Sequence, residues 1–299
     1  MHEAKFLAAL RSLPLHEGAR GLTDDTATLA GLTITTDTIV EGVHFLPEDP
    51  PEDVAWKLVA VNLSDLAAKG ARPEGVLLNY PIGSPAQGWD SGFLTGFGEA
   101  LAAFGCPLLG GDTVSWPLGA PRVLTLTAFG REGAAVLRSE AKAGDALWVT
   151  GTIGDAGAGL RIARGEDGSP ELLAAYRRPT PRLAEGRALA AHVHAMMDVS
   201  DGLLLDAIRM AEASDLAVAI DLALVPLSAA YRAFAGDDRA ARIAAATAGD
   251  DYQLLFAAAA DRTPPVAATR IGAFAAGAGL TLKDGAEPVP LPASLGFLH

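Results

Sequence analysis

Alternating apolar and polar residues predict strands in the first half of the chain, and helical spacing predicts helices. Residues 32–36 alternate and end at Asp37, and residues 122–129 alternate in the same way. Apolar residues at helical spacing predict helices over 52–69 and 91–104. The short segment at 107–109 runs into two glycines, which predict a break in the chain.

The second half predicts further strands and helices in alternation. A buried strand over 146–150 is followed by a glycine turn and by a helix to about Arg164. Residues 165–170 are typical of a loop. The remaining predicted elements are helices at 182–194 and 201–213, joined through 196–200, and strands at 217–221 and 252–258.

A change of composition at about 131–144 predicts a boundary between two domains. This stretch is more charged and has few large apolar residues. We place the division at 137/138, which gives an N-terminal domain of 1–137 and a C-terminal domain of 138–299. The predicted fold class is α/β, of the mixed α+β kind.

Composition and charge restrict the class of protein. Half of the residues are hydrophobic, which excludes intrinsic disorder, and the net charge of −13 argues against nucleic acid as a partner. The single cysteine, Cys106, excludes a disulfide within the chain or a cysteine-rich metal site and is typical of a core residue. No apolar run reaches about 18 residues, and the N-terminus resembles an amphipathic helix rather than a signal peptide. We therefore expect no membrane association and a cytoplasmic protein.

Acidic residues recur where predicted elements end, beside glycine, threonine or serine. A single aspartate in that position is typical of a helix cap or a turn. However, Asp37 and Asp65 follow hydrophobic segments, and Asp112 follows two glycines that permit close approach of a ligand. Such carboxylates repel one another unless cations neutralise them. Oxygen ligands favour Mg²⁺, and the six histidines offer no matched pair for zinc.

Two further motifs leave alternatives open. The turn Gly151–Gly154 after a strand is compatible with a phosphate loop, but it lacks the ending of a P-loop and also fits a tight strand-to-helix turn. The basic stretch 177–182 is compatible with an anion site or with a solvated turn.

Ten segments together resemble one known family, thiamine-monophosphate kinase, within the larger superfamily of aminoimidazole ribonucleotide synthase. They follow the family order over nearly the whole chain. The segments are LTDDTATL (22–29), TTDTIVEGVHF (35–45), KLVAVNLSDLAAKGARP (57–73), LLGGDT (108–113), LRSEAKAGD (137–145), VTGTIGDAGAGL (149–160), RRPTPRLAEG (177–186), MDVSDGLLLDAIRMAEAS (197–214), IDLALVPLS (220–228) and AGDDYQLLF (248–256).

The resemblance implies an ATP-dependent kinase that converts thiamine monophosphate to thiamine diphosphate, the last step in making that cofactor. It implies two domains, of which the first binds ATP and Mg²⁺ and pairs across a homodimer. The second domain would complete the nucleotide and substrate site. It also implies direct in-line transfer assisted by several Mg²⁺ ions.

The resemblance also assigns residues to roles. It implies catalysis by the metal cluster and Arg138, with no side chain acting as a general base. The metal ligands would be Asp25, Thr35, Thr36, Asp37, Asp65, Asp112, Asp198 and Asp201. ATP would contact Gly111, Asp112, Arg138 and Ser200, and the thiamine phosphate would contact His44, Asp250 and Ser294.

The chain departs from the family pattern at three places. Thr23 stands where the family usually has glycine, Asp250 stands in place of a longer glutamate, and Ser294 lies where an aromatic residue is usual, with Phe297 nearby. Two alternatives remain: a sister enzyme with another acceptor, and a non-catalytic nucleotide-binding scaffold. Selenophosphate synthases usually carry a reactive cysteine near the N-terminus, and this chain has cysteine only at 106.

Overall fold

Two β-sheets with helices packed against them form the structure, a computed structural model that describes residues 3–83, 88–115, 117, 119–131 and 135–298. The helices are α1 Glu3–Leu10, α2 Pro51–Ala68, α3 Trp89–Phe104, α4 Asp155–Ala163, α5 Pro170–Arg177, α6 Leu183–Leu189, α7 Leu203–Ala213, α8 Ala229–Ala235 and α9 Arg239–Thr247. The strands are β1 Ala27–Leu29, β2 Leu32–Val40, β3 Arg72–Ile82, β4 Leu108–Ser115, β5 Val123–Arg131, β6 Ala146–Thr150, β7 Ala195–Asp198, β8 Leu216–Asp221, β9 Leu254–Ala258, β10 Ala268–Ala276, β11 Gly279–Asp284 and β12 Glu287–Val289.

The first sheet has the strand order β1-β2-β5-β3-β4 and is antiparallel except for the pair β3–β4. Helix α2 packs on one face of β2, β5 and β3, and α3 packs beside α2. Because side chains alternate along a strand, Leu124, Leu126 and Ala128 of β5 point into this core. The edge strand β4 leaves the apolar side chains of Leu108 and Val114 more than half exposed.

The second sheet has the order β12-β11-β8-β10-β6-β9-β7 and mixes one parallel pair, β11–β8, with antiparallel ones. Its strand β9 is buried along its whole length and β6 at every residue but Trp148, and α7 is amphipathic with its apolar face on the sheet. Both sheets mix parallel and antiparallel pairs, so the predicted mixed α+β class is confirmed.

Helix α2 lies in the interior because both sheets pack around it. It contacts β2 and β5 on one side and α6 and β7 on the other. Of its 18 residues, 13 are therefore buried, including the polar Lys57, Asn62 and Ser64. Asn62 and Asp65 of this helix and Lys69 at its C-terminal cap follow one another at spacings of three and four, so they share one side, which faces the protein interior.

The strongly periodic elements match the prediction, and several short ones do not. The strand ending near Asp37 and the helices at 52–69 and 91–104 agree with β2, α2 and α3 to within four residues. The predicted break at Gly110 is wrong, because β4 continues through it. The predicted helix at 182–194 ends at Leu189, since β7 begins at Ala195. The prediction omitted β1, β3, β7, α5, α8, α9 and the strands after residue 260.

The interval between the two sheets, 132–145, contains the predicted domain boundary at 137/138, which stays a prediction. Within the described ranges, no helix is both long and apolar enough to span a bilayer.

Candidate active site between the two sheets

Asp65 lies at the centre of a group of carboxylates. It projects from α2, and the Thr35 hydroxyl of β2 donates a 2.5 Å hydrogen bond to its Oδ2. Burial, followed by the charges of Asp37, Asp198 and Asp25, raises the pKa of Asp65 well above its usual value. Four predicted metal-site carboxylates are therefore close enough to repel one another.

Asp198 brings the second sheet into this group. It ends β7, and the Ser64 hydroxyl of α2 donates to its Oδ2 at 2.5 Å. Burial raises the pKa of Asp198 to about 7, a rise that the Ser64 hydrogen bond opposes and that the charges of Asp25 and Asp37 increase. The carboxylate is thus poised to exchange a proton for another cation near neutral pH.

Two basic residues border the cluster beside Asp24 and Asp25. The buried Lys69 ammonium lies 2.6 Å from Asp24 Oδ1 and 3.6 Å from Asp25 Oδ2. Arg138 donates from Nη1 to Asp25 Oδ1 at 2.8 Å and from Nε to the Thr23 carbonyl at 2.7 Å. Burial alone would raise the pKa of Asp24, but Lys69 and Arg138 hold that pKa below its usual value.

The donor chemistry of the cluster fits a divalent cation. Asp25 Oδ2 is buried and accepts no hydrogen bond within the described part of the chain. Carboxylate and hydroxyl oxygens are ligands suited to Mg²⁺, which usually binds one or two carboxylates and completes its shell with phosphate and water. Among the described residues, however, no group of three or more acidic, histidine or cysteine side chains is arranged so that it could hold a metal ion by itself.

Thr36 and Asp112, also predicted metal ligands, lie apart from this cluster. Thr36 alternates with Thr35 on β2, and its hydroxyl bonds to the Leu126 carbonyl at 3.0 Å on the opposite face of the sheet. Asp112 is exposed on the edge strand β4, which β3 and β5 separate from β2. Three strand spacings amount to about 14 Å.

Gly111 precedes Asp112 at a point where two strands touch. A Cβ on Gly111 would lie 1.8 Å from the Leu78 carbonyl oxygen of β3, so only glycine fits in this register. The sequence signal of paired glycines therefore marks a close strand contact, and the predicted contact of Gly111 with ATP stays a prediction.

The loop of Ser200 and Asp201 is held by Asp206 from the first turn of α7. Asp206 Oδ2 accepts the backbone N–H groups of Ser200, Asp201 and Gly202 at 3.1–3.2 Å. Arg209 forms an ion pair with Asp201 and lies 3.2 Å from Asp206. Both predicted ligand residues of this loop are therefore fixed by a buried carboxylate that the sequence analysis did not select.

The C-terminal segment docks on the same loop. The Phe297 N–H donates to the Asp201 carbonyl at 2.8 Å, and the Ser294 hydroxyl donates to the Gly296 carbonyl at 2.7 Å. Ser294, predicted to contact substrate, is thus on a segment that touches the candidate metal loop.

His44 and Asp250, the other two predicted substrate residues, meet across the two domains. The buried Lys57 of α2 donates to the His44 carbonyl at 2.9 Å and to Asp250 Oδ2 at 2.7 Å. Tyr252 donates its hydroxyl to Asp250 Oδ1 at 3.0 Å. Burial, then the charges of Asp250, Asp37 and Asp198, raises the pKa of Tyr252 well above its usual value. Tyr252 therefore lies between this pair and the carboxylate cluster.

His44 is held in one tautomer by its own loop. Its Nδ1 accepts the backbone N–H of Val40 at 3.0 Å, so the proton of the neutral ring is on Nε2. The side chain can present an N–H donor, which suits a phosphate oxygen.

The turn Gly151–Gly154 is a strand-to-helix turn. The buried Asp251 carboxylate accepts the N–H groups of Gly154 at 2.8 Å and Ala156 at 3.3 Å, and so occupies the start of α4 where a phosphate would bind.

The basic stretch 177–182 fits neither of its two interpretations: Arg177 and Arg178 form ion pairs with Asp49 and Asp53 of the first domain. Cys106 is buried, as expected of a core residue.

Sequence reasoning missed Lys57 and Asp206 as functional candidates. Both are charged residues inside apolar helical patterns, which is the signal that could have identified them, because a buried charge needs a partner.

Comparison with known proteins matches both parts of the chain to one family. The family model for the N-terminal domain of AIR synthase related protein matches residues 23–131, and that for its C-terminal domain matches residues 142–281. A thiamine-monophosphate kinase of Caulobacter vibrioides is 40% identical over 312 aligned positions, which cover 96% of this chain and 88% of that protein.

Solved structures give the same result. The crystal structure of thiamine monophosphate kinase from Aquifex aeolicus has a TM-score of 0.83 at 29% identity and covers 96% of each chain. A structure of AaThiL complexed with AMPPCP and TMP has a TM-score of 0.82 at 29% identity, over 95% of this chain and 99% of that chain.

Proposed function

The chain belongs to the thiamine-monophosphate kinase family, and we propose that it transfers the γ-phosphoryl group of ATP to the phosphate of thiamine monophosphate. The products are thiamine diphosphate and ADP. The identity of 40% with a kinase of this name over 96% of the chain supports the proposal. So does the structural match to AaThiL complexed with TMP and AMPPCP, which is an analogue of ATP.

One observation from the structure carries the proposal furthest: Asp25, Asp37, Asp65 and Asp198 converge between the two sheets, where burial and the charges of the neighbouring carboxylates raise the pKa values of Asp65 and Asp198. Phosphoryl transfer needs little covalent chemistry from side chains, but it needs alignment and neutralisation of phosphate charge. These four carboxylates would hold divalent cations, which would supply that neutralisation.

We assign the metal site to Asp25, Thr35, Asp37, Asp65, Asp198 and Asp201. The Thr36 hydroxyl lies on the other face of the sheet and is left out of this site, and Asp112 would join it only from a second copy of the chain. Mg²⁺, when bound there, would lower the repulsion between the two anionic phosphates. Arg138, which now pairs with Asp25, would offer a planar donor to the nucleotide phosphates together with the backbone at Gly111 and Ser200.

The acceptor needs no general base. The second pKa of a phosphate monoester is about 6, so its oxygens are mostly deprotonated at neutral pH. The chain therefore binds and orients the acceptor. His44 Nε2–H would donate to its phosphate, while Asp250 and Ser294 would contact the thiamine moiety.

We further propose a homodimer that forms through the open face and the β4 edge of the first sheet. That surface exposes Leu108, Leu109 and Val114, an unpaired strand edge with apolar side chains. Asp112 lies on this strand, and we propose that in the dimer it approaches the carboxylate cluster of the neighbouring copy. The cytoplasmic location and the absence of nucleic-acid partners stay predictions from composition.

A coupled assay of ADP release tests the activity, with purified protein, ATP, Mg²⁺ and thiamine monophosphate. We expect ADP release that depends on thiamine monophosphate and a product that comigrates with thiamine diphosphate. Folded protein without acceptor-dependent release would contradict the proposal. Release with another phosphorylated acceptor would favour a sister enzyme, and ATP binding without turnover would favour a scaffold.

A further inference from the structure

Lys57 is a buried charge that joins the two elements assigned to the acceptor. Its side chain is only 3% exposed, whereas that of Asp250 is 30% exposed. The ammonium contacts the His44 carbonyl and the Asp250 carboxylate, at 2.9 and 2.7 Å. Lysine usually extends its ammonium into water, so a fully enclosed one needs compensation from fixed partners.

The remaining side of the ammonium is closed by an aromatic ring. Lys57 Nζ lies 4.2 Å from the centroid of the Tyr176 ring, and the Tyr176 hydroxyl is itself bound to Asp49 at 2.8 Å. Burial, then Asp49, raises the pKa of Tyr176, so the ring stays a neutral phenol. Lys57 thus has three fixed contacts in a buried position, whereas the Asp250 carboxylate that it holds is partly exposed.

The loop that carries Asp250 adopts an unfavourable backbone. Asp250 has φ +70° and Tyr252 has φ +48°, a region that residues other than glycine seldom adopt. Such conformations persist where the surroundings enforce them, often at functional sites. Here the enforcing contacts include the Asp250 N–H to Ser200 carbonyl at 2.7 Å, and the ion pair with Lys57.

We propose that Lys57 is the positioning residue of the acceptor site: it holds the Asp250 carboxylate and the His44 loop at the separation that binds thiamine monophosphate. The proposal rests on the proposed function. The side chain of Asp250 is short, so the position of its carboxylate depends closely on where its backbone is held. Lys57 does this from α2, the helix that also carries Asp65.

The spacing along α2 supports this role. Lys57 and Ser64 are seven residues apart, which places them on the same side of a helix about 10 Å from one another. One rigid element therefore fixes the acceptor loops and, through Ser64 and Asp65, the carboxylate cluster.

Steady-state kinetics of Lys57→Met test the proposal. We expect the KM for thiamine monophosphate to rise about tenfold and the KM for ATP to change less than about twofold. Lys57→Arg keeps the charge and should recover part of the loss. Asp250→Asn should also raise the KM for thiamine monophosphate, and the double variant should be no worse than the more impaired single variant, because both act through one contact.

Arg178→Met is the matched control. Arg178 also joins the domains, through Asp53 and Glu99, but touches neither His44 nor Asp250. If Lys57 only fastened the domains together, Arg178→Met would produce the same loss as Lys57→Met, and that result would overturn the proposal. Additive effects of Lys57→Met and Asp250→Asn would overturn it as well.

Equilibrium binding of thiamine monophosphate, in the presence of AMPPCP and Mg²⁺, separates this inference from the proposed function. If the wild-type protein binds but does not phosphorylate the acceptor, the proposed function fails, and weaker binding by Lys57→Met still supports the positioning role. Wild-type turnover with unchanged affinity and KM in Lys57→Met overturns the positioning role alone. Absence of both binding and turnover in the wild type overturns both. If Lys57→Met does not fold, Lys57→Arg and Asp250→Asn decide, since unchanged acceptor affinity in both would overturn the inference.

Discussion

The hydroxyl of Ser64 donates a 2.5 Å hydrogen bond to the carboxylate of Asp198, and this contact connects the central helix of the first domain to a strand of the second. Both side chains are buried. The hydrogen bond favours the ionised carboxylate, which is the form that binds a cation.

Ser64→Ala should weaken the response to Mg²⁺. Without the hydroxyl, the pKa of Asp198 rises further above about 7, and a proton competes more effectively with the metal. We expect the Mg²⁺ concentration for half-maximal activity at pH 7 to rise about five- to tenfold. This difference in Mg²⁺ requirement between the variant and the wild type should shrink at pH 9. A difference of the same size at pH 7 and at pH 9 would contradict this explanation.

The metal-free protein should become less stable as the pH rises towards 8. The pKa of Asp198 is about 7 when folded and near 3.8 when unfolded, so its contribution to stability is full below about 3.8 and is lost as the pH rises through 7. In EDTA, the Tm at pH 8 should be lower than at pH 6, on the order of 3 °C or more.

Two comparisons identify the source of that pH dependence. In Asp198→Asn, the Tm in EDTA should change less between pH 6 and pH 8 than in the wild type. Mg²⁺ added at pH 8 should restore the stability of the wild type because the ion binds the folded state. A Tm that increases from pH 6 to pH 8 in EDTA would contradict the assignment.

Asp65→Asn should remove activity while it preserves the fold. Its carboxylate lies beside three others, so neutralising it relieves repulsion in the metal-free state. We expect kcat/KM to fall at least about a hundredfold, a loss of about 2.7 kcal/mol in transition-state stabilisation, with a Tm in EDTA equal to or above that of the wild type. Activity within a few fold of the wild type at saturating Mg²⁺ would exclude a metal role for Asp65.

Asp206→Asn should affect the nucleotide rather than the acceptor. Its buried oxygen accepts three backbone N–H groups of the loop containing Ser200 and Asp201, and an amide is a weaker acceptor. We expect the KM for ATP to rise about tenfold, with a smaller change for thiamine monophosphate. Circular dichroism and Tm provide the control for folding, and an effect on the acceptor alone would contradict this role.

Mixed dimers test the proposed position of Asp112. If each cluster takes Asp112 from the other copy, subunits carrying Asp65→Asn and Asp112→Asn should complement each other when refolded together. Random pairing would give about a quarter of the wild-type rate, because half of the dimers carry one intact site. Mixtures as inactive as the separate variants would show that Asp112 does not act across the dimer.

The fold could be predicted where one periodicity dominated. Helix α2 and strand β2 have long, regular patterns, whereas β3 contains Pro73 and Gly75 and was missed. The strand tolerates these residues because its pairing with β5 shifts register between Pro73 and Gly75. Strand β4 was missed because its two glycines suggested a turn, although Gly111 permits close contact with β3.

The site could be predicted only in part, because a motif identifies residue types but not their partners. Asp25, Asp37, Asp65 and Asp198 converge as a shared metal role requires. Nothing local in the sequence indicates that Lys57 contacts Asp250, which lies in the other domain. The capping of α4 by Asp251 depends in the same way on a contact between distant segments.

Helix α2 fixes the distance between two parts of the proposed active site, the contacts of Lys57 and those of Asp65. Eight residues separate Lys57 from Asp65, a rise of about 12 Å along a helix that packing prevents from sliding. Helix α2 therefore holds the acceptor loops and the carboxylate cluster about 12 Å apart along its axis. Insertion of one residue between them would turn one end by about 100° relative to the other. The site would thus discriminate among phosphorylated acceptors by molecular length, independently of how well their rings are recognised.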